Sequence, residues 1–275
     1  MPTAIYLSTF LSFALVALLH GAAIHKRSKG AGNGLNEMEC LTLSDGARLG
    51  FQNKDEGFMA NRLVDVGERV ELRCQVVGAP QATIRWKFNG QFIEKEVIGD
   101  HHAQIENGDL PIIGISTTIS LLTIACADSE TAGQYTCVAE NGCSETIETS
   151  AIVAVKQADT TKKCPLNARS LFGGVAPQIV LWTDSRLERP EAAVTLFCRA
   201  TGSPQPTIEW FEEDDAGEYQ KIASDETHML LKNGDLLIRG EKNKDEAKPS
   251  VAYKCVATNE HGSDSFETII IRADL

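Results

Sequence analysis

Cysteine is the residue type with the most chemistry to offer in this chain of 275 residues, which carries eight of them. A thiolate can attack a substrate, hold a metal or close a disulfide, and spacing decides which. Cys74 is followed twelve residues later by Trp86 and then by Tyr135 and Cys137 in the string YTC. Cys198 is followed twelve residues later by Trp210 and then by Tyr253 and Cys255 in YKC, 124 residues after the first set. That repetition points to structural disulfides. Other candidate chemistry is thin. His101 and His102 beside Asp100 lack further spaced ligands and read as solvated. The acidic run Glu212 to Asp215 with Glu218 lacks the loop glycine and terminal glutamate of a calcium hand. There is no GxSxG, HExxH or phosphate loop. The expectation is no catalytic residue, no metal and no cofactor.

The elements that must position these cysteines follow from the spacing. Two cysteines on facing strands, a Trp packed against their bridge and a Tyr two places before the second Cys define the immunoglobulin sandwich. The fold class expected is therefore all-β, with two tandem immunoglobulin-like sandwiches of the I-set type. In the first, Val70, Leu72 and Cys74 alternate with Glu71 and Arg73 on strand B. Ile84 and Trp86 point inward on strand C, Asn89-Gly90 turns the chain, and Leu122 and Ile124 form strand E. Thr131 stands where an Asp is common, a loss expected to cost little more than a surface ion pair. In the second, Val194, Leu196 and Cys198 form strand B, Trp210 sits on strand C, and Leu236 and Ile238 form strand E. GEKNKDEAKPS there predicts a longer, charged E to F loop.

Cys40, Cys126, Cys143 and Cys164 remain, which allows three pairings. Cys40 precedes strand A and Cys143 lies in the F to G loop, at one end of the sandwich. Cys126 closes strand E and Cys164 follows strand G, at the other. The geometry favours Cys40 with Cys143 and Cys126 with Cys164. Each B to F bridge closes a loop of about 60 residues, worth about 4 kcal/mol in the loop-entropy account.

Residues 1–23 are free of charge, carry the apolar run Ala4 to Leu19 and end in Gly21-Ala22-Ala23, which reads as a secretory signal peptide. An oxidising, extracellular setting follows. The domain plan expected is an N-terminal extension over 24–50, a first sandwich over 51–156, a linker over 157–176 and a second sandwich over 177–275. Net charge is −12, with 9 basic against 18 acidic residues over 37–156 and 11 against 19 over 177–275. Two acidic modules argue against nucleic acid as a partner. No Asn-x-Ser/Thr sequon occurs, so both faces of each sandwich are open to a protein partner. Trp182, on the expected strand A of the second sandwich, is either packed within or between the modules or an exposed aromatic anchor for binding. A restricted hinge is expected near Gly173-Gly174, so that replacing Cys126 and Cys164 together would loosen the interdomain angle.

The strings TIRWKFNGQFI, SLLTIACADSETAGQYTC, APQIVLWTDSR and LLKNGDLLI, in that order, resemble the nematode zwei-Ig family, secreted proteins of two immunoglobulin domains. Residues 60–275 carry the resemblance, most specifically at WKFNG and WTDSR. It implies a neuronal role, the keeping of axons and cell bodies in position through cell-surface or matrix partners. The NGDLLI strand is also similar to an insect secreted two-domain protein that binds insulin-like peptides, which implies a soluble hormone carrier as the alternative. The Cys40 and Cys143 pair looks like an addition to the family pattern.

Overall fold

A computed structural model describes residues 48–52, 59–93, 114–156, 164, 175–240 and 248–273. Every regular element among them is a strand. The first module comprises β1 (Arg48–Phe51), β2 (Arg62–Val64), β3 (Val70–Ala79), β4 (Thr83–Phe88), β5 (Gln91–Phe92), β6 (Ile115–Ile124), β7 (Gly133–Glu140) and β8 (Ile147–Val155). The second comprises β9 (Val175–Glu188), β10 (Val194–Leu196), β11 (Cys198–Ser203), β12 (Thr207–Glu213), β13 (Tyr219–Lys221), β14 (His228–Leu230), β15 (Leu236–Ile238), β16 (Ser250–Asn259) and β17 (Gly262–Arg272).

Alternation forms the first sandwich. Val70, Leu72, Cys74 and Val76 are buried along β3 while Glu71 and Arg73 face water. They meet Ile84, Trp86, Tyr135 and Cys137 from the opposite sheet, ordered β2-β8-β7-β4-β5. The β4–β5 hairpin turns on Asn89 and Gly90, whose φ values of +47° and +83° suit a two-residue turn of the primed type. Asn89 Oδ1 also accepts the Gln134 amide at 2.9 Å, which ties that turn to β7. In the second module Trp210 is 1% exposed and its Nε1 donates to Gly234 O at 2.9 Å. Gly234 has φ +96°, and a Cβ there would stand 2.6 Å from Cys198 O, so the NGD turn requires glycine.

The modules are not beads on a hinge. Strand β9 pairs along one edge with β6 of the first module, Ser120 opposite Leu181 and Ile119 opposite Trp182. Along its other edge it pairs first with β11 and then, in parallel, with β17. The result is one nine-stranded sheet running β1-β3-β6-β9-β17-β16-β12-β13, with β11 also on β9. The cores interlock as well. Leu181 and Phe197 of the second module lie in the first core, and Ile119 of the first lies in the second. This corrects the expectation of a hinged pair, whose proposed pivot at Gly173-Gly174 lies outside the described residues.

A buried polar cluster lies along the same seam. Arg186 donates through Nε and Nη2 to Glu188 Oε1 at 2.8 and 2.6 Å, and through Nη1 to Gln81 Oε1 of the first module at 2.5 Å and to Thr195 O at 3.2 Å. Gln81 Nε2 in turn donates to Thr183 Oγ1 at 2.8 Å. Arg186 and Glu188 are almost wholly buried. A charge without its partner there would be costly, so the cluster specifies how the modules meet.

Candidate protein-binding face

The disulfides hold the scaffold of the site. Cys74 bridges Cys137, Cys198 bridges Cys255 and Cys126 bridges Cys164, with Cα separations of 6.3, 6.5 and 5.9 Å. Cys143 is also disulfide-bonded, whereas Cys40 lies outside the described residues. Tyr135 makes the corner bond, donating its hydroxyl to Thr131 O at 2.7 Å. The Thr131 hydroxyl accepts the Asp128 amide at 2.8 Å, and Asp128 Oδ1 accepts the Glu130 and Thr131 amides. The missing Asp is thus replaced by a local network rather than simply lost. In the second module the NGD motif is used internally: Asp235 accepts from Cys198 N, Arg199 Nη2 (2.7 Å) and Asn233 Nδ2 (2.9 Å).

Trp182 is not an exposed anchor. It is 5% exposed, its ring lies 3.9 Å from that of Phe266, and the Arg73 guanidinium stands 5.9 Å from its centroid. Of its two readings, packing between the modules is the one that the structure shows, because pairing with both β6 and β11 places the residue in the middle of the shared sheet. The acidic hairpin is likewise occupied with itself. Asp214 Oδ1 accepts the Ala216 and Glu218 amides at 2.9 Å, and Lys248 pairs with Asp215 at 2.8 Å. The backbone hydrogen bond from Glu218 leads the effects that hold the Asp214 carboxyl below its ordinary range. His101 and His102 lie outside the described residues. No group of three or more His, Cys, Asp or Glu among the described residues is arranged to hold a metal.

A different surface emerges at the seam. The register sets Ile115 opposite Leu187 and Leu187 beside Ile271, so one face carries an apolar row from the first module into the second. The next row on that face reads Val77, Thr117, Ser185, Ile269 and Ala252. Ile115, Ile269 and Ile271 are 39%, 49% and 46% exposed. Neither row contains a charge, in a chain where 23% of residues are charged. An uncharged face with three exposed isoleucines, broken only by the hydroxyls of Thr117 and Ser185, marks an interaction site more often than scattered exposed side chains do. The sequence signal was the run Ile269-Ile270-Ile271. Three apolar residues in succession put one on the core side, where Ile270 is buried, and two on the other. What the sequence lacked was the strand that carries the row across.

The immunoglobulin-domain family matches residues 59–141, and the immunoglobulin I-set domain matches residues 183–270. The chain is 32% identical over 261 residues to zwei Ig domain protein zig-4 of Caenorhabditis elegans, covering 94% of each chain. It is 33% identical over 217 residues to zig-3 of the same organism, covering 77% of each. Among solved structures it is similar to neural ectodermal development factor IMP-L2, with TM-score 0.58 and 24% identity over 82% of this chain and 94% of that one. That likeness shows the fold.

Proposed function

This chain belongs to the zwei Ig domain proteins, and we propose that it is a secreted binding protein that keeps axons and neuronal cell bodies in place by engaging an ectodomain at the cell surface or in the matrix. It works by binding rather than by catalysis. The observation that carries this reading is the uncharged face through Ile115, Leu187, Ile269 and Ile271, which crosses from one module to the other on a continuous sheet. Interfaces of about 800 Å² per partner are ordinary for specific protein recognition, and their cores are depleted of charge as this face is. Acidic charge on both modules favours partners with a basic rim and raises their rate of encounter.

The family resemblance supplies the neuronal assignment, and the relatives' names attach no partner to this surface. No helix among the described residues is long and apolar enough to cross a membrane. The test is a titration of the purified chain against a panel of neuronal ectodomains, with insulin-like peptides as a second panel. Saturable ectodomain binding that is lost in the double variant Ile269→Lys, Ile271→Lys, whose melting temperature is unchanged, is the expected result. Binding confined to the peptides would replace this reading with a hormone carrier.

A further inference from the structure

Beside the first core, at the edge where β9 departs from β6, residues of both modules line a partly open cavity of about 100 Å³. It lies toward the Thr123 end of β6, whereas the binding face lies toward Ile115. Among the described residues its floor is made by Ile84, Trp86 and Leu181, all buried. The polar atoms there are matched already. Trp86 Nε1 donates to Ser120 Oγ at 2.9 Å, and that hydroxyl donates to Val180 O at 3.1 Å. An occupant therefore meets carbon at depth and would bury a polar group there without a partner.

The rim has a different character. Thr123, Gln178 and Thr201 surround it half-buried. Thr123 Oγ1 donates to Gln178 Oε1 at 3.1 Å, and Gln178 Nε2 lies 3.5 Å from Glu71 Oε1. Hydroxyl and amide groups at the mouth suit a hydrogen-bonding head. The Glu71 carboxylate beside them is half-exposed and paired with Arg69 at 2.8 Å. What disfavours an anionic head is the net acidity of the module and the cost of desolvating a charge at an apolar mouth.

We propose that this cavity binds the tail of a small amphiphile, an aliphatic chain with an uncharged hydroxyl or amide head, with the chain against Trp86 and the head at Gln178 and Thr201. An apolar cavity of about 150 Å³ admits benzene, so this one takes roughly four carbons, with the rest of a longer chain left outside. The site is independent of the protein-binding face, and either can exist without the other.

The experiment is a titration of the full secreted chain with straight-chain alcohols from propanol to octanol, read by nuclear magnetic resonance at the Trp86 indole. Affinity should rise about fourfold per methylene, then flatten once the cavity is filled near four or five carbons. The carboxylic acids of equal length should bind at least tenfold more weakly at neutral pH. Val180→Phe and Leu122→Phe, each of which fills the cavity, should abolish the response. Their melting curves report folding, and if one variant unfolds the other carries the test. No saturable shift with any alcohol would overturn the proposal. So would affinity that keeps climbing through octanol, equal binding of the acids, or a response that survives in a folded, filled variant.

Discussion

Ile119 of the first module and Trp182 of the second stand opposite each other in one ladder, with Cys198 of the second module's bridge on the far side of Trp182. One cross-strand row thus contains residues of both sandwiches. The modules share backbone hydrogen bonds and side-chain packing rather than merely touching.

Calorimetry of the intact chain should accordingly give one cooperative unfolding transition for both modules. Phe197→Ala, which removes a second-module ring from the first core, should cost about 3–5 kcal/mol and lower that single transition as a whole. Two resolved transitions, with only the second module affected, would contradict the interlocked cores.

At the seam, Arg186→Ala should destabilise by about 3–5 kcal/mol because it leaves Glu188 charged and buried. Replacing both together by Met and Leu should be far milder, since no unpaired charge remains. Urea unfolding of the three proteins measures the difference, and a double variant as unstable as the single one would show that the pair itself supplies the stability.

Replacing Cys126 and Cys164 together by Ser should leave small-angle scattering unchanged, the reverse of what a hinged pair predicts, because the β6–β9 ladder fixes the modules. Stability should still fall, by about 3–4 kcal/mol for a loop of this size. A scattering curve that broadens toward larger dimensions would restore the hinge.

Alkaline pH should expose the corner tyrosine. Burial, reinforced by the nearby Asp128 carboxylate, pushes the Tyr135 phenol from 10.0 up to about 12. The folded state therefore keeps a proton that the unfolded chain loses, so stability is level below pH 10 and declines as pH rises toward 12. Tyr135→Phe should be less stable at neutral pH, where it lacks the bond to Thr131, yet show a shallower alkaline decline. Denaturant midpoints across that range give the comparison.

The Asn141 amide donates to Arg48 O at 3.0 Å, and the Asn259 amide donates to Val175 O at 2.8 Å and Pro204 O at 2.9 Å. Each clamps the turn after one module's penultimate strand to its first strand. Alanine at either position should cost about 0.5–1.5 kcal/mol, the net worth of hydrogen bonds whose exposed carbonyl acceptors water can reach. Urea midpoints that do not move would mean that water replaces these bonds at no cost.

The sandwiches were legible because their determinants are local or repeat. Alternation on β3, the Asn89-Gly90 turn and the Cys, Trp and Tyr spacing each fix a strand or a bridge without reference to distant chain. The binding face was not, because it depends on which strand lies beside β6. A strand with apolar residues on both faces, such as Val180-Leu181-Trp182, reads equally as the buried start of an independent module or as a shared one. Trp182 illustrates the ambiguity: its type allowed either a packed residue or an exposed anchor, and its two neighbouring strands show that it is interior. The internal use of Asp235 by Arg199 was hidden for a similar reason, since its motif also reads as an exposed turn.

Because β9 belongs to both sandwiches, a protein of this build has no slack between its halves. If one partner grips the first module and another the second, a pull between them passes through the β6–β9 ladder, whose hydrogen bonds must give way before the modules can part. A flexible tether would stretch first and transmit force late. This chain should instead behave as a stiff strut, suited to holding attached structures at a set distance against repeated small displacements.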